Sequence, residues 1–222
     1  MRERVPRASD DELAAALLVL EQEGRDALSL DHVARRLGRR ERGGAASLPW
    51  PSERWLRSDL AALGFRRLRA AIAESLDALG PGADHPVDRV LAAGRAYVRA
   101  AVRNPALYTL MHEPEAADFS HPDLSRDADF AFNQLRDIVS SVQSTGFEAD
   151  RDTNELSRIV WDSVHRLAVR WADAALDGPV DAATLDEAID LEMTLLLGDS
   201  PKRSDRGDDA PGDRDADPEA RT

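Results

Sequence analysis

The chain has 222 residues, of which 42% are hydrophobic and 32% are charged, a balance that is typical of a globular protein with a sizeable core. It contains no cysteine, which excludes disulfides, thiolate metal sites and a cysteine nucleophile. No apolar run reaches the roughly 18 residues of a membrane span, and the first residues lack the apolar stretch of a secretory signal, so we expect a cytoplasmic protein.

Charge is distributed unevenly along the chain, whose net charge is −13. Residues 1–69 carry a net charge of +3, whereas residues 70–199 carry −14 and residues 200–222 carry −2. The overall negative charge argues against a general nucleic-acid coat protein. A small basic head on an acidic remainder instead favours a protein that contacts phosphate with one end only.

The N-terminal part begins with two predicted helices. A helix should start after Ser9, because Glu12 follows three residues later as in a capping box, and should stop at Gly24. Ser29 should cap a second, short helix over 31–37, which Gly38 closes in the left-handed conformation. Residues 39–51 have an irregular pattern.

The rest of the chain up to residue 197 is also predicted to be helical. A helix capped by Ser52 should run to about residue 79, where Gly80-Pro81-Gly82 ends it. The later predicted helices span residues 86–103, 106–112, 123–145, 153–176 and 182–197. No strand is compelling, so the pattern predicts an all-α protein of eight or nine helices.

These elements predict three parts. We expect residues 1–51 to form a three-helix head of the helix-turn-helix kind and residues 52–199 to form a helical bundle, for which the motifs given below imply effector binding and dimerisation. Helix 52–79 connects the head and the bundle. The tail, residues 200–222, has too few apolar side chains to offset its ordering entropy, so we expect it to be disordered.

Two motifs of the head resemble the TetR family of transcriptional regulators. The sequence LSLDHVARRLG at 28–38 is similar to the second helix of that family, and WPSERWLRSDLAALGFRRLRAAI at 50–72 resembles its junction into the fourth helix. In the family the third helix lies in the major groove, and its usual Tyr, His and Phe precede a Pro-Ser cap. Here Ser47, Pro49 and Trp50 stand in those places, and Gly43-Gly44 lies inside the segment.

The resemblance implies that the head contacts DNA. Arginines lie before and within the segment that stands in the place of the family's third helix, and their side chains can bond to DNA phosphates and to guanine. Ser47 stands where the family has its Tyr. The predicted DNA-contacting residues are Arg35, Arg36, Arg39, Arg40, Arg42 and Ser47. A solvated basic face is the alternative. Because two glycines and Pro49 disfavour a helix, the reading helix should survive only as a stub over about 39–46.

A second resemblance lies in the remainder of the chain. RAYVRAAVRNPALYTLMHE at 95–113 is similar to the start of the TetR C-terminal domain subtype called WHG, and Trp161 and His165 match its later signature. Arg166 replaces the glycine of that signature. The implied effector is a hydrophobic or aromatic small molecule, because aromatic and apolar side chains with a few polar groups suit such a pocket. The predicted ligand-binding residues are Tyr97, Leu107, Tyr108, Met111, Phe130, Trp161 and His165.

Ordinary core packing is the alternative for these side chains, and a satisfied structural histidine is the alternative for His165. His112 with Glu113 and Glu115 lacks the helical spacing of a metal site, so we expect no metal, and no glycine loop suits a phosphate cofactor. Because no buried polar constellation suggests catalysis, we expect neither a cofactor nor an enzyme.

Helices 153–176 and 182–197 are expected to form a homodimer interface, as two such helices do in the resembling family. One apolar stripe holds Leu156, Val160, Val164, Leu167, Trp171 and Ala175, and another holds Leu185, Ile189 and Leu196. Together these features predict a ligand-responsive TetR-like repressor that binds operator DNA as a homodimer. The alternative is a TetR-fold dimer that no longer reads DNA and acts as a ligand- or protein-binding module.

Overall fold

The computed structural model describes residues 7–39, 48–80, 86–113 and 117–197, and within these ranges the chain is helical with no strand. The α-helices are α1 (Asp10–Glu23), α2 (Leu30–Arg36), α3 (Glu53–Asp77), α4 (Pro86–Arg103), α5 (Pro105–His112), α6 (Pro122–Gln143), α7 (Thr153–Asp177) and α8 (Ala182–Leu197). A short 3-10 turn, Arg25–Ala27, which the sequence pattern did not predict, connects α1 and α2. The all-α prediction is therefore confirmed.

The helix ends follow the predicted caps. The Ser9 hydroxyl accepts the backbone N–H of Glu12, and the Glu12 carboxylate accepts the N–H of Ser9 at 2.8 Å, so the capping box is complete. Ser29 and Ser52 cap α2 and α3 in the same way. Gly38 has φ +69°, the left-handed conformation predicted for the residue after α2.

Helix α3 is the element that connects the two ends of the molecule. It packs against α1 on one side and against α4, α5 and α6 further along. The buried apolar side chains form one continuous core from α1 to α8, and this core crosses the predicted boundary between residues 51 and 52. The head is thus packed directly on the connecting helix, so a displacement of α3 would displace both ends.

Helix α4 lies between α3, α7 and α8 in the bundle. Two arginines of α4 hold α8 in place: Arg95 donates to Asp190 at 2.6 Å, and Arg99 donates to both oxygens of Asp186 at 3.0 and 2.7 Å. Such partly exposed pairs contribute little stability, but they fix the orientation of α8.

The described residues leave three predictions untested. Residues 40–47, with Arg40, Arg42, Ser47 and Gly43-Gly44, lie outside the described residues, as do residues 200–222. The side chain of Leu196 is not described either. Among the helices of the described residues, none is long and apolar enough to cross a membrane.

Candidate functional site

An aromatic and polar cluster lies where α4, α5 and α7 meet. We call it the tyrosine-histidine cluster: Tyr97 of α4, Tyr108 and His112 of α5, and Trp161 and His165 of α7. The imidazole rings of the two histidines lie with centroids 4.4 Å apart, and the rings of Tyr97 and Trp161 meet edge to face at 5.5 Å. The structure therefore brings four of the seven predicted ligand-binding residues into one cluster.

Hydrogen bonds join the polar atoms of the cluster. Nδ1 of His112 lies 3.0 Å from the Tyr108 carbonyl oxygen and must donate to it, so Nε2 is left as an acceptor 3.5 Å from the Tyr97 hydroxyl. The Tyr108 hydroxyl lies 2.7 Å from Nδ1 of His165 and 3.2 Å from the Tyr97 hydroxyl. The hydroxyl protons of Tyr97 and Tyr108 have more acceptors within reach than they can bond at once, so the hydrogen bonds of the cluster can rearrange.

Burial keeps the cluster uncharged at neutral pH. Desolvation lowers the pKa of His112 to about 4, and it also lowers the pKa of His165. Burial raises the pKa of Tyr97 and of Tyr108 above the usual range of a phenol. Two neutral imidazoles and two neutral phenols can exchange hydrogen bonds with an uncharged polar group, whereas a charged ligand group would find no countercharge among them.

A small apolar cavity of about 30 Å³ adjoins the cluster. Side chains from five helices surround it: Leu68, Ile72, Val90, Ala93, Tyr97, Ala131, Leu135, Ile138, Val160, Trp161, Val164 and Met193, with Gly94. No charged side chain of the described residues lines it. A second, open pocket of about 230 Å³ lies beside it, and Val90 and Val160 line both.

The remaining predicted ligand-binding residues lie elsewhere. Leu107 and Met111 pack against Gly64 on α3, where an added Cβ would come within 3.4 Å of Leu107 and closer still to Met111. The Phe130 side chain is 46% exposed, and its ring lies under the guanidinium of Arg69 at 5.0 Å. Of the seven residues, only Tyr97 and Trp161 line the cavity.

Sequence reasoning missed His112 as a member of this site. Its spacing of four residues from Tyr108 on a helix places both side chains on one face, and that spacing was visible in the sequence. In the sequence His112 was considered only as a metal ligand with Glu113 and Glu115, and no metal was expected there. Within the described residues, no group of three or more potential metal ligands exists.

Three of the predicted DNA-contacting arginines are described, and they differ in their partners. Arg35 is exposed, and its Nε donates to the Asp31 carbonyl at 3.4 Å. Arg36 donates to the Glu23 carboxylate at 3.2 Å and also to the side chain of the glutamine that precedes Glu23. Arg39 donates to Glu12 at 2.7 Å. Arg36 and Arg39 are therefore paired with carboxylates on α1, which would compete with a phosphate for these guanidinium groups.

Exposed apolar side chains are concentrated on α7 and α8. The predicted stripes of these helices face their own bundle, since Leu156, Val160, Leu185 and Ile189 are buried. A second set faces outward, and it provides five of the eight large hydrophobic side chains that are exposed among the described residues: Ile159, Val169, Leu176, Leu191 and Leu195. An apolar surface of this kind is typical of an interaction site.

Comparison with known proteins agrees with this architecture. Residues 90–196 match the family described as tetracyclin repressor-like, C-terminal domain. The fold is similar to a protein of unknown function from Rhodococcus sp. RHA1, with 26% identity, a TM-score of 0.68 and coverage of 88% of this chain and 97% of that chain. None of the curated proteins matches the chain.

Two solved regulators share the fold at lower identity. One is the fatty acid degradation regulator FadR from Bacillus halodurans, with 15% identity, a TM-score of 0.65 and coverage of 87% of this chain and 96% of that chain. The other is the ketosteroid transcriptional regulator KstR2 of Mycobacterium tuberculosis, with 19% identity, a TM-score of 0.54 and coverage of 87% and 97%. Residues 90–196 therefore match the tetracyclin repressor-like C-terminal domain, and the described residues share their fold with these solved regulators.

Proposed function

We propose that the chain is a cytoplasmic, ligand-responsive repressor that binds operator DNA as a homodimer and releases it when a small hydrophobic or aromatic molecule binds. The observation that carries this proposal is the position of α3. Its Leu68 and Ile72 line the apolar cavity, while Asp59 near its N-terminus accepts a hydrogen bond from Trp50 of the head. A ligand that displaces α3 would therefore change the position of the head, and DNA affinity would change with it.

The basic end of α2 is the proposed DNA contact. Arg35 is exposed and has only one bond, to a backbone carbonyl, so it is free of any carboxylate among the described residues. Arg36 and Arg39 would also contact DNA if a phosphate replaced the glutamate with which each of them is paired, because a guanidinium can bond to either group in the same bidentate geometry. Arg40, Arg42 and Ser47 complete the proposed surface.

The outward-facing side chains of α7 and α8 are the proposed homodimer interface. Leu191 and Leu195, which are 62% and 71% exposed, lie one turn apart on α8. Burying each leucine against a second copy would stabilise the dimer by about 2 kcal/mol, and in a two-fold interface both copies bury the same leucines. Two heads held by one interface would then contact two half-sites on one duplex.

The proposed effector site is the cavity together with the open pocket beside it. A cavity of about 30 Å³ holds little more than a water molecule, whereas ligand sites usually measure about 300–1,000 Å³. Binding therefore requires Val90 and Val160, the residues common to both, to move apart. Because the lining of the cavity is apolar, the part of the ligand that enters the cavity is expected to be uncharged, whereas Glu148 and Arg151 line the open pocket.

Selection from a random duplex pool tests DNA binding. We expect the purified chain to enrich a sequence and to bind it with an affinity that falls steeply with salt. Arg35→Gln should weaken binding and reduce the slope of log affinity against log salt by roughly 0.9 for each phosphate that the variant no longer neutralises. Arg136→Gln, which removes the same charge from an exposed position on α6, should leave the slope unchanged.

The second candidate function is a TetR-fold dimer that no longer reads DNA. Pro49 and Gly43-Gly44 favour it, because they disfavour a regular helix in the segment that reads DNA in the resembling family. Failure to enrich any sequence, together with the absence of a salt-sensitive complex, would support this candidate and contradict the repressor.

A further inference from the structure

The carboxylate of Asp59 on α3 bridges two segments that are far apart in sequence. Its Oδ2 accepts a hydrogen bond from the indole N–H of Trp50 at 2.8 Å. Its Oδ1 lies 3.4 Å from Nε2 of His121. Trp50 follows shortly after residues 40–47 in the head, whereas His121 is the N-cap of α6 in the bundle. One side chain on the connecting helix therefore links the head to the bundle.

The orientation of His121 is fixed by its role as a cap. Its Nδ1 accepts the backbone N–H of Leu124 at 3.4 Å, so the proton of the neutral ring is on Nε2 and points toward Asp59. Both groups that face Asp59 are therefore donors, and the carboxylate provides one acceptor oxygen for each. Because His121 and Trp50 are 6% and 4% exposed, water cannot easily replace Asp59 as a partner.

The bundle segment 117–121 is attached to the same stretch of α3 at further points. The Ser58 hydroxyl accepts the backbone N–H of Asp118 at 2.8 Å, and this serine is fully buried. The ring of Trp55 packs edge to face on His121, with centroids 4.4 Å apart. Segment 117–121 cannot shift along α3 without disturbing these contacts, so its position is strongly coupled to that of α3.

We propose that Asp59 is a positioning residue that transmits displacements of segment 117–121 to Trp50 and thereby fixes the position of residues 48–50 at the end of the head. Its consequence for DNA rests on the proposed function. Helix α5, which carries Tyr108 and His112 of the tyrosine-histidine cluster, ends only a few residues before segment 117–121. A ligand in the cavity that displaces Tyr97 would disturb its hydrogen bond to Tyr108 on α5, and α5 is joined to segment 117–121 by the hydrogen bond from the Ala117 N–H to the Glu113 carbonyl.

Four variants separate this link from general stability. Asp59→Asn places an amide N–H₂ opposite one of two donors, so one of the two hydrogen bonds must break. His121→Asn keeps a good N-cap for α6 but is too short to reach Asp59. His121→Gln retains a donor that reaches as far as Nε2. Asp77→Asn is the matched control, because it makes the same charge change at an exposed position on the same helix.

Two readouts test the proposal on the full chain. With a duplex that the wild-type protein has enriched, Asp59→Asn and His121→Asn should each lower DNA affinity about tenfold, and the double variant should be no worse than either. His121→Gln and Asp77→Asn should stay within about twofold of wild type. Additive losses in the double variant, or an unchanged affinity of His121→Asn, would overturn the proposal.

Hydrogen exchange of the backbone amides in 48–56 provides the second readout, and it needs no DNA. Exchange there should become faster in Asp59→Asn and His121→Asn, and it should not change in His121→Gln or Asp77→Asn. If the wild-type chain enriches no duplex, the proposed function fails, and exchange alone decides the link: unchanged protection of 48–56 in His121→Asn would contradict it.

Discussion

Replacement of Gly64 by alanine tests the close approach of α3 and α5. A Cβ on Gly64 would lie 2.3 Å from Sδ of Met111 and 2.6 Å from its Cγ. Because non-bonded heavy atoms prefer separations of about 3.5–4.0 Å, Met111 would have to move by about 1 Å or more. The atoms in conflict include Cγ, which is close to the α5 backbone and cannot swing away freely.

The expected magnitude is the difference between two opposing effects. Alanine is favoured over glycine in a helix by about 1 kcal/mol. Overpacking of a dense core costs about 1–3 kcal/mol. Gly64→Ala should therefore lower the free energy of unfolding by about 1 kcal/mol, which corresponds to a fall in melting temperature of roughly 2–4 °C for a chain of this size.

Gly94→Ala on α4 is the matched comparison. Its Cβ would meet Cε and Sδ of Met193 at 2.9 and 3.0 Å, and these atoms are the flexible end of that side chain. Met193 can adjust, so the helix-forming advantage of alanine should remain. We expect the free energy of unfolding to be unchanged or to rise by up to about 1 kcal/mol.

Urea unfolding of both variants provides the assay, and a double-mutant cycle with Met111→Ala isolates the contact. The cost of Gly64→Ala should disappear when Met111 is truncated, which would give a coupling energy of about 1 kcal/mol or more. A Gly64→Ala protein as stable as the Gly94→Ala protein would contradict a close contact between α3 and Met111 of α5 at this point.

The remaining predictions concern the tyrosine-histidine cluster and the α7–α8 surface. Tyr108→Phe should lower the free energy of unfolding by about 1–3 kcal/mol, and Tyr97→Phe by less because its bonds are longer, as thermal or urea unfolding would measure; equal effects would contradict the bonding pattern. Because the pKa of His112 is lowered from 6.5 to about 4, the folded state binds this proton less readily than the unfolded chain does. The contribution of neutral His112 to the free energy of unfolding is therefore complete above pH 6.5, and about 3 kcal/mol is lost as the pH falls toward 4. Urea unfolding at a series of pH values should show a weaker pH dependence for His112→Asn than for the wild type. Leu191→Glu should shift sedimentation from dimer to monomer, whereas Leu18→Glu, at an exposed position on α1, should not; equal behaviour of the two variants would contradict the proposed interface.

Local structure was predictable because its determinants are local. Ser9 with Glu12 and glycine at position 38 each fix a helix end through contacts within a few residues, and the structure has the capping box and the left-handed glycine as predicted. The 3-10 turn at residues 25–27 was missed, because three residues carry no periodicity that distinguishes a turn of this kind from a loop.

The arrangement of the site was only partly predictable, because it depends on which helix faces which. Tyr97, Tyr108, Trp161 and His165 share a cluster as their helical spacing suggested, yet Phe130 faces solvent on α6. The side of α6 that turns inward is set by packing against α3 and α7, which the sequence of α6 alone does not encode.

The link through Asp59 could not have been found from sequence at all. The indole of Trp50 is buried, but its hydrogen bond to a carboxylate nine residues later depends on the path of the chain between them. His121 lies much further along the chain, between the helices predicted over 106–112 and 123–145. Contacts of such long sequence separation follow from the tertiary fold.

Sedimentation of a fluorescent duplex with the purified chain shows directly whether the chain binds DNA as a dimer. With a duplex enriched from a random pool, we expect a salt-sensitive complex that contains two copies of the chain for each pair of half-sites. A duplex that sediments as free DNA at low salt, whatever the concentration of the chain, would contradict a DNA-binding regulator, even if the chain itself sediments as a dimer.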